Sequence, residues 1–252
     1  MKIFDSHLHI IDKTFPLIEN QGFIPATFTS QDYLNSVKNL NVVGGAVVSG
    51  SFQGFDQSYL VDTLQTLGKN FVGVTQLPYN SSDEEIIRLN ELGVRGIRFN
   101  VNRGGSEDIS HLDYFARRVY ELANWHTELY INTESLTEIA TTVEKLPAVS
   151  IDHLGLSKSG YPALLSLVEK GVKVKATGFG RIDFDPGEAI RTIYSINPDA
   201  LMFGTDLPST RAKRPFNISD IELLYDILEE EQVKKVLYEN AMKWEFYGRL
   251  AP

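Results

Sequence analysis

Four side chains in this sequence could do hydrolytic chemistry together: His7, His9, His153 and Asp206. The first two lie two residues apart in Asp5-Ser6-His7-Leu8-His9. In an extended segment side chains alternate, so both would face the same side. His153 sits in Ile151-Asp152-His153-Leu154-Gly155, and Asp206 in Phe203-Gly204-Thr205-Asp206-Leu207-Pro208. Imidazoles and a carboxylate are the usual players in general acid–base work and in polarising a carbonyl. A lone histidine at a strand end is more often a hydrogen-bonded structural residue. An i, i+2 pair with partners at two other strand ends is much harder to ascribe to coincidence. His111 and His126 fall in or beside a helical stretch and read as surface or structural residues.

Three arginines bear on the substrate. Arg98 and Arg103 lie in Val94-Arg95-Gly96-Ile97-Arg98-Phe99-Asn100-Val101-Asn102-Arg103, and Arg181 in Thr177-Gly178-Phe179-Gly180-Arg181. A guanidinium presents a planar fork that matches a carboxylate, so three near one opening predict a small polyanionic substrate. Taken singly, each could equally be a surface arginine paired with the abundant acidic residues. Residues 209–216, with Arg211, Lys213 and Arg214, read as a solvated turn, a basic lid being the alternative.

A scaffold must bring these residues together, and the chain repeats one rhythm that could. Short β-branched runs near residues 2–9, 43–50, 71–77, 95–101, 127–133, 148–153, 172–177 and 200–205 read as strands buried on both faces. Amphipathic stretches near 30–40, 56–68, 83–91, 110–124, 135–145, 160–170, 186–195 and 219–229 read as helices, with a last one near 231–246. Ser81-Ser82-Asp83 and Asp185-Pro186 are helix starts, while Gly93 and Gly171 suit helix ends. Eight strand–helix units in 252 residues are the arithmetic of a (β/α)8 TIM barrel, here one domain over 1–252. His7, His9, His153 and Asp206 then lie at strand C-termini, where barrels keep their chemistry, with Arg98 near the mouth and Arg103 and Arg181 in the loops beyond. A doubly wound sheet is the alternative, but no Gly-rich phosphate loop follows the first strand.

Composition narrows the partners. The 33 acidic against 24 basic residues give a formal charge of −9, which disfavours nucleic acid and anionic membranes. With no cysteine, disulfides, iron–sulfur sites and thiol nucleophiles are excluded. The opening MKIFDSHLHI lacks the apolar core of a signal peptide, and no stretch approaches membrane-spanning length, so a cytoplasmic enzyme is expected.

Together, the stretches around His7, His153 and Asp206 resemble the amidohydrolase superfamily, and within it the amidohydrolase-related branch of 2-pyrone-4,6-dicarboxylate lactonases. The resemblance runs from residue 1 to about 246. It implies a lactonase that opens a carboxylate-bearing lactone, with Asp206 as general base and His7, His9 and His153 polarising the ring carbonyl. It also implies that Arg98, Arg103 and Arg181 hold the substrate carboxylates. Arg103 is displaced by one residue of spacing, and the sequence around Arg181 differs from the pattern. Ser51 and Tyr130 resemble substrate-contacting positions, turn chemistry and barrel packing being the plainer readings. Metal-dependent members add a histidine from the fifth strand and often a lysine or carboxylate from the fourth. Here Leu129 to Glu134 holds no histidine, and the fourth strand offers Arg98, Phe99 and Asn100. The resemblance therefore implies no cofactor, although His7, His9 and Asp206, with His153 nearby, could hold a single zinc or manganese ion. The alternatives are a metal-dependent amidohydrolase, a nonoxidative decarboxylase, and a noncatalytic tricarboxylate-binding barrel.

Overall fold

Apolar runs rich in Val, Ile and Phe form eight short parallel strands in the computed structural model, which describes residues 1–246. They are β1 (Ile3–Leu8), β2 (Val42–Val48), β3 (Phe71–Thr75), β4 (Val94–Phe99), β5 (His126–Leu129), β6 (Val149–Ile151), β7 (Lys173–Ala176) and β8 (Leu201–Phe203). Each pairs with the next in chain order. Between them run α1 (Ser30–Val37), α2 (Ser58–Leu67), α3 (Asp83–Glu91), α4 (Leu112–Ala123), α5 (Thr133–Val143), α6 (Tyr161–Glu169) and α7 (Pro186–Ile196), with α8 (Ser219–Ile227) after β8. This is the (β/α)8 barrel. The ring is drawn shut between its first and last strands at the mouth, where the Asp206 amide donates to the His7 carbonyl (2.7 Å) and the His9 amide to the Leu207 carbonyl (2.8 Å).

Local chemistry sets the helix ends. Ser82 caps α3 by accepting from the Glu85 amide, and three acidic residues follow in the first turn, favourable against the helix dipole. Asp185 caps α7 ahead of Pro186 at its first position. The expected last helix is interrupted: α9 (Glu230–Lys234) passes through a π-turn at Lys235–Glu239 into α10 (Asn240–Glu245). Its apolar side, including Met242 and Phe246, packs under the barrel floor against a cluster containing Phe4, Val72 and Met202.

Two differences from the sequence reading bear on the site. Strands β5, β6 and β8 stop earlier than expected, because the chain turns sharply where their functional residues begin. His153 and Asp206 both have left-handed backbone, with φ of 50° and 59°. Such conformations cost free energy for residues with a Cβ and gather at functional sites. The other difference is His126, which opens β5 as a buried residue at the barrel floor, 3.3 Å from Glu245, rather than lying beside α4.

A buried carboxylate fastens the mouth from below. Asp5 accepts from the Thr205 amide (2.8 Å), the Thr205 hydroxyl (2.7 Å), the Tyr33 hydroxyl (2.9 Å) and the His7 amide (3.3 Å). Burial pushes its pKa up to about 6, with the bonds from Thr205, Tyr33 and His7 pulling the other way. A raised carboxyl contributes stability that is full below its unfolded value and is lost as pH rises through about 6. Above that pH the ionised group depends on its donors. Tyr33→Phe is therefore expected to cost about 1.5–3 kcal/mol at pH 7 and less at pH 5. Urea unfolding at the two pH values checks this, and an equal loss at both would contradict the assignment.

Candidate active site

The strand ends deliver the candidate residues to one opening. His7 is the penultimate residue of β1 and His9 lies just beyond that strand; His153 follows β6, and Asp206 follows β8. All four are buried. The rings of His7 and His9 meet edge-on with centroids 4.9 Å apart, and His153 is also 4.9 Å from His7. Asp206 Oδ1 lies 3.6 Å from His9 Nε2 and 3.9 Å from His7 Nε2. Two glycines make room for this crowding. A Cβ on Gly178, whose φ is +60°, would sit 2.5 Å from His153 Nδ1, and one on Gly204 would sit 2.7 Å from the His7 amide.

Hydrogen bonds define part of the protonation pattern. His9 Nδ1 is 2.7 Å from the Val48 carbonyl, which can only accept, so Nδ1 carries a proton and Nε2 faces the site. His7 and His153 are both held below the usual histidine range. For His153, burial lowers the pKa to about 4, outweighing the nearby Asp206 carboxylate. For His7, burial outweighs Asp152. Both rings are thus neutral at pH 7. Neither nitrogen of His7 nor Nδ1 of His153 makes a well-aligned hydrogen bond among the described residues. Buried polar atoms without partners are costly, which marks this spot as one shaped to receive an oxygen-bearing ligand.

Asp206 is ionised. Burial opposes its charge, but Arg181, His153, His9 and His7 outweigh burial and hold it well below the ordinary carboxylate range. The chief partner is Arg181, whose Nε donates to Oδ2 (2.6 Å) and Nη2 to Oδ1 (3.1 Å). Arg98 is likewise engaged: Nη2 donates to Asp152 Oδ2 (2.6 Å), Nη1 to the Ser49 carbonyl (2.8 Å), and Nε lies 3.3 Å from Glu128 Oε1. The expected substrate clamp therefore comes in two parts. Arg98 and Arg181 face the pocket while paired to protein carboxylates; Arg103 lines it without such a partner among the described residues.

Ser51 and Tyr130 also reach the pocket wall. The Ser51 hydroxyl donates to Asn20 Oδ1 (3.1 Å), and the Tyr130 ring packs edge-on against His153 and under Arg98, 5.1 Å from its guanidinium carbon. Arg211, expected in a solvated turn, lines the same pocket instead. Long contacts with the loop after β1 bring it there, and no local sequence signal reports those.

Sequence reasoning missed the charges beneath the pocket. Glu128 of β5 pairs with Lys175 of β7 in a short contact, both fully buried inside the barrel. Glu128 also stands beside Arg98 in the β4–β5 register. Burial, and then repulsion from Asp152, push the Glu128 pKa up to about 8 against the pull of Lys175 and Arg98. Burial also opposes ionisation of Asp152, yet His7, Arg98 and Lys175 hold that group low. One carboxyl of the pair thus readily keeps a proton while the other stays charged. His7 Nδ1 lies 3.4 Å from Asp152 and 3.5 Å from Glu128, so both acids act on the orientation of that ring.

The ligating atoms of His7, His9 and Asp206 lie within 4.8 Å of one another, as do those of His7, Asp152 and His153. The spacing of the first group admits a single divalent ion. Its one carboxylate is already bound at both oxygens by Arg181, a cation that an ion would have to face.

Comparison with known proteins gives the family. The amidohydrolase family model matches residues 4–246. The 4-sulfomuconolactone hydrolase of Hydrogenophaga intermedia is 24% identical over 98% of this chain and 89% of that enzyme. The 2-pyrone-4,6-dicarboxylate hydrolase of Comamonas testosteroni is 23% identical over 95% of this chain and 88% of its own length. Among solved structures, a probable 2-pyrone-4,6-dicarboxylic acid hydrolase of Acinetobacter baumannii, with citric acid bound, superposes with a TM-score of 0.81 at 22% identity, over 97% of this chain and 99% of that one. With its barrel, its histidines at the ends of β1 and β6 and its aspartate after β8, the chain belongs to the amidohydrolase family.

Proposed function

We propose that the protein is a cytoplasmic lactonase that opens a ring carrying two anionic groups, of the 2-pyrone-4,6-dicarboxylate kind. The observation that carries this reading is the convergence of three imidazoles on the Asp206 carboxylate, under a pocket walled by Arg98, Arg103 and Arg181. The relatives' names support it, since both denote hydrolases of anionic lactones. Among the described residues no helix is long and apolar enough to cross a membrane. The net charge of −9 supports a small-molecule substrate over nucleic acid.

In this reading, the lactone carbonyl oxygen enters the space beside His7, His9 and His153. N–H groups of His7 and His153 donate to it and strengthen their hold as it becomes an oxyanion. His9, whose Nδ1–H is held by the Val48 carbonyl, adds a donor at Nε2 when its ring is doubly protonated. Asp206 takes a proton from the attacking water. The new carbon–oxygen bond forms at the ring carbonyl, the ring ester bond breaks, and the released ring oxygen takes up a proton. A substrate carboxylate competes with Asp206 for Arg181. Drawing that guanidinium away raises the basicity of Asp206 once substrate is in place. Ser51 and Tyr130 would complete the wall around the ring.

A second reading rests on the mutual spacing of His7, His9 and Asp206. A divalent ion held there would supply Lewis-acid polarisation of the carbonyl. Both readings meet one experiment, the ultraviolet loss of 2-pyrone-4,6-dicarboxylate on adding chelator-treated protein. Turnover undiminished by chelation, with less than a tenth of an equivalent of metal by elemental analysis, is the expected result. Activity restored only by zinc or manganese would favour the second reading. No turnover under either condition would reject this substrate.

A further inference from the structure

Four guanidinium groups face one pocket, and they are not equivalent. Arg98 is compensated by Asp152, with the Glu128 carboxyl beside it, and Arg181 by Asp206. Among the described residues, neither Arg103 nor Arg211 forms an ion pair. The neighbouring Arg214 differs, since it is bound to Asp220 at 2.6 Å and stays outside the pocket.

Arg211 is held in place by neutral groups. Its Nη1 donates to Asn20 Oδ1 (3.0 Å), its Nη2 makes a short bond to the Asn20 carbonyl, and its guanidinium carbon stacks 4.4 Å from the Phe23 ring. Asn20 ties the loop carrying Arg103 to the same spot, because its Nδ2 donates to the Arg103 carbonyl (3.1 Å). Ser51 bonds to Asn20 as well. Loops after β1, β2, β4 and β8 therefore meet at one asparagine, which orients the Arg211 guanidinium and anchors the backbone at Arg103 without neutralising either cation. The positive charge of Arg211 is disfavoured by burial and then by Arg103 and Arg181 nearby. Holding like charges together around a cavity costs free energy unless an anion sits among them. Neutral anchors would be a poor choice for a purely structural arginine in a chain with 33 acidic residues.

We propose that Arg211 is a specificity-determining residue which, with Arg103, holds a second anionic group of the substrate, away from the reacting carbonyl. Arg98 places Asp152, while Arg181, paired to Asp206 in the resting site, is the cation that the first anionic group draws away. The mouth then selects ligands with two anionic groups over those with one. The division of labour rests on the lactonase reading for the substrate's identity, but selection between one and two charges does not require turnover.

Calorimetry with isophthalate and benzoate tests this directly, since these unreactive rings carry two carboxylates and one. The wild-type protein is expected to bind isophthalate at least about tenfold more tightly than benzoate, in line with one added charge-assisted contact. Arg211→Ala should weaken isophthalate by about 10- to 100-fold and benzoate by less than about twofold, with Arg211→Lys between. If the lactone is the substrate, the loss on Arg211→Ala falls on KM for the dicarboxylate. Equal losses for both ligands would make Arg211 a structural strap and overturn the proposal, as would an unchanged preference or a wild-type protein without one. Should Arg211→Ala melt early, Arg211→Lys carries the comparison, because it keeps the charge and loses the fork. A wild-type protein that prefers isophthalate yet hydrolyses no pyrone dicarboxylate would refute the lactonase reading and leave the charge selection standing.

Discussion

Asp206→Asn should lower kcat by about 10²- to 10⁴-fold, the usual worth of a positioned general base. The amide keeps the shape of the carboxylate and cannot take a proton from water. Binding should move in the opposite direction. In the resting site both Asp206 oxygens are occupied by Arg181 (2.6 and 3.1 Å), so the substitution removes a negative charge and frees a guanidinium for the ligand. Isophthalate should accordingly bind several-fold more tightly than to wild type, by roughly the 0.5–1.5 kcal/mol of one net hydrogen bond. A rate within tenfold of wild type would remove Asp206 from the base role. Weaker binding would mean that Arg181 serves Asp206 alone and never reaches the ligand.

The largest effect on stability is expected at Lys175, whose ammonium is fully buried against Glu128. Removing one partner of a buried ion pair typically costs about 3–5 kcal/mol, because the remaining charge is left without compensation. Glu128 has its pKa raised by burial to about 8 from an ordinary 4.5. Its contribution to stability is therefore full below about 4.5 and lost as pH rises through about 8. Lys175→Met should then cost about 3–5 kcal/mol at pH 9, where Glu128 would have to ionise alone. At pH 6 the loss should be only about 1–3 kcal/mol, because a protonated carboxyl lacks just a hydrogen-bond partner. Denaturant melts at the two pH values measure the difference. A pH-independent loss of about 3–5 kcal/mol would mean that Glu128 is charged throughout, and one of about 1–3 kcal/mol that it stays protonated even at pH 9.

The barrel is legible in the sequence because parallel strands buried on both faces leave dense apolar runs, and because capping residues such as Ser82 and Asp185 mark the helix starts between them. His7 and His9 are legible for the same reason: two imidazoles two residues apart at the end of such a run must share a face. The buried charges are harder. Lys173 and Lys175 share one face of a short strand, and only the closed barrel determines that Lys175 lies deep against Glu128 while Lys173, at the start of the strand, reaches the Asp199 carbonyl. A glutamate inside the run His126-Thr127-Glu128-Leu129 was the available signal, since strands buried on both faces seldom carry an unpaired charge. Arg211 left only the basic cluster of residues 209–216, which does not tell a pocket wall from a solvated turn. Its place depends on Asn20, 191 residues earlier in the chain, and loop contacts of that range have no sequence period.

The seam between β1 and β8 gives the reaction a further meaning. The backbone bonds that draw the ring shut at its mouth are made by Asp206, His7 and His9 themselves, so the residues proposed for chemistry are also those that join the first strand to the last. Activity can arise only after the two ends of the chain have met, and turnover becomes a clock for ring closure. A refolding chain should regain native helix signal before it regains turnover. A chain cut between β4 and β5 should stay silent as separate halves and become active on mixing, at a rate set by their association.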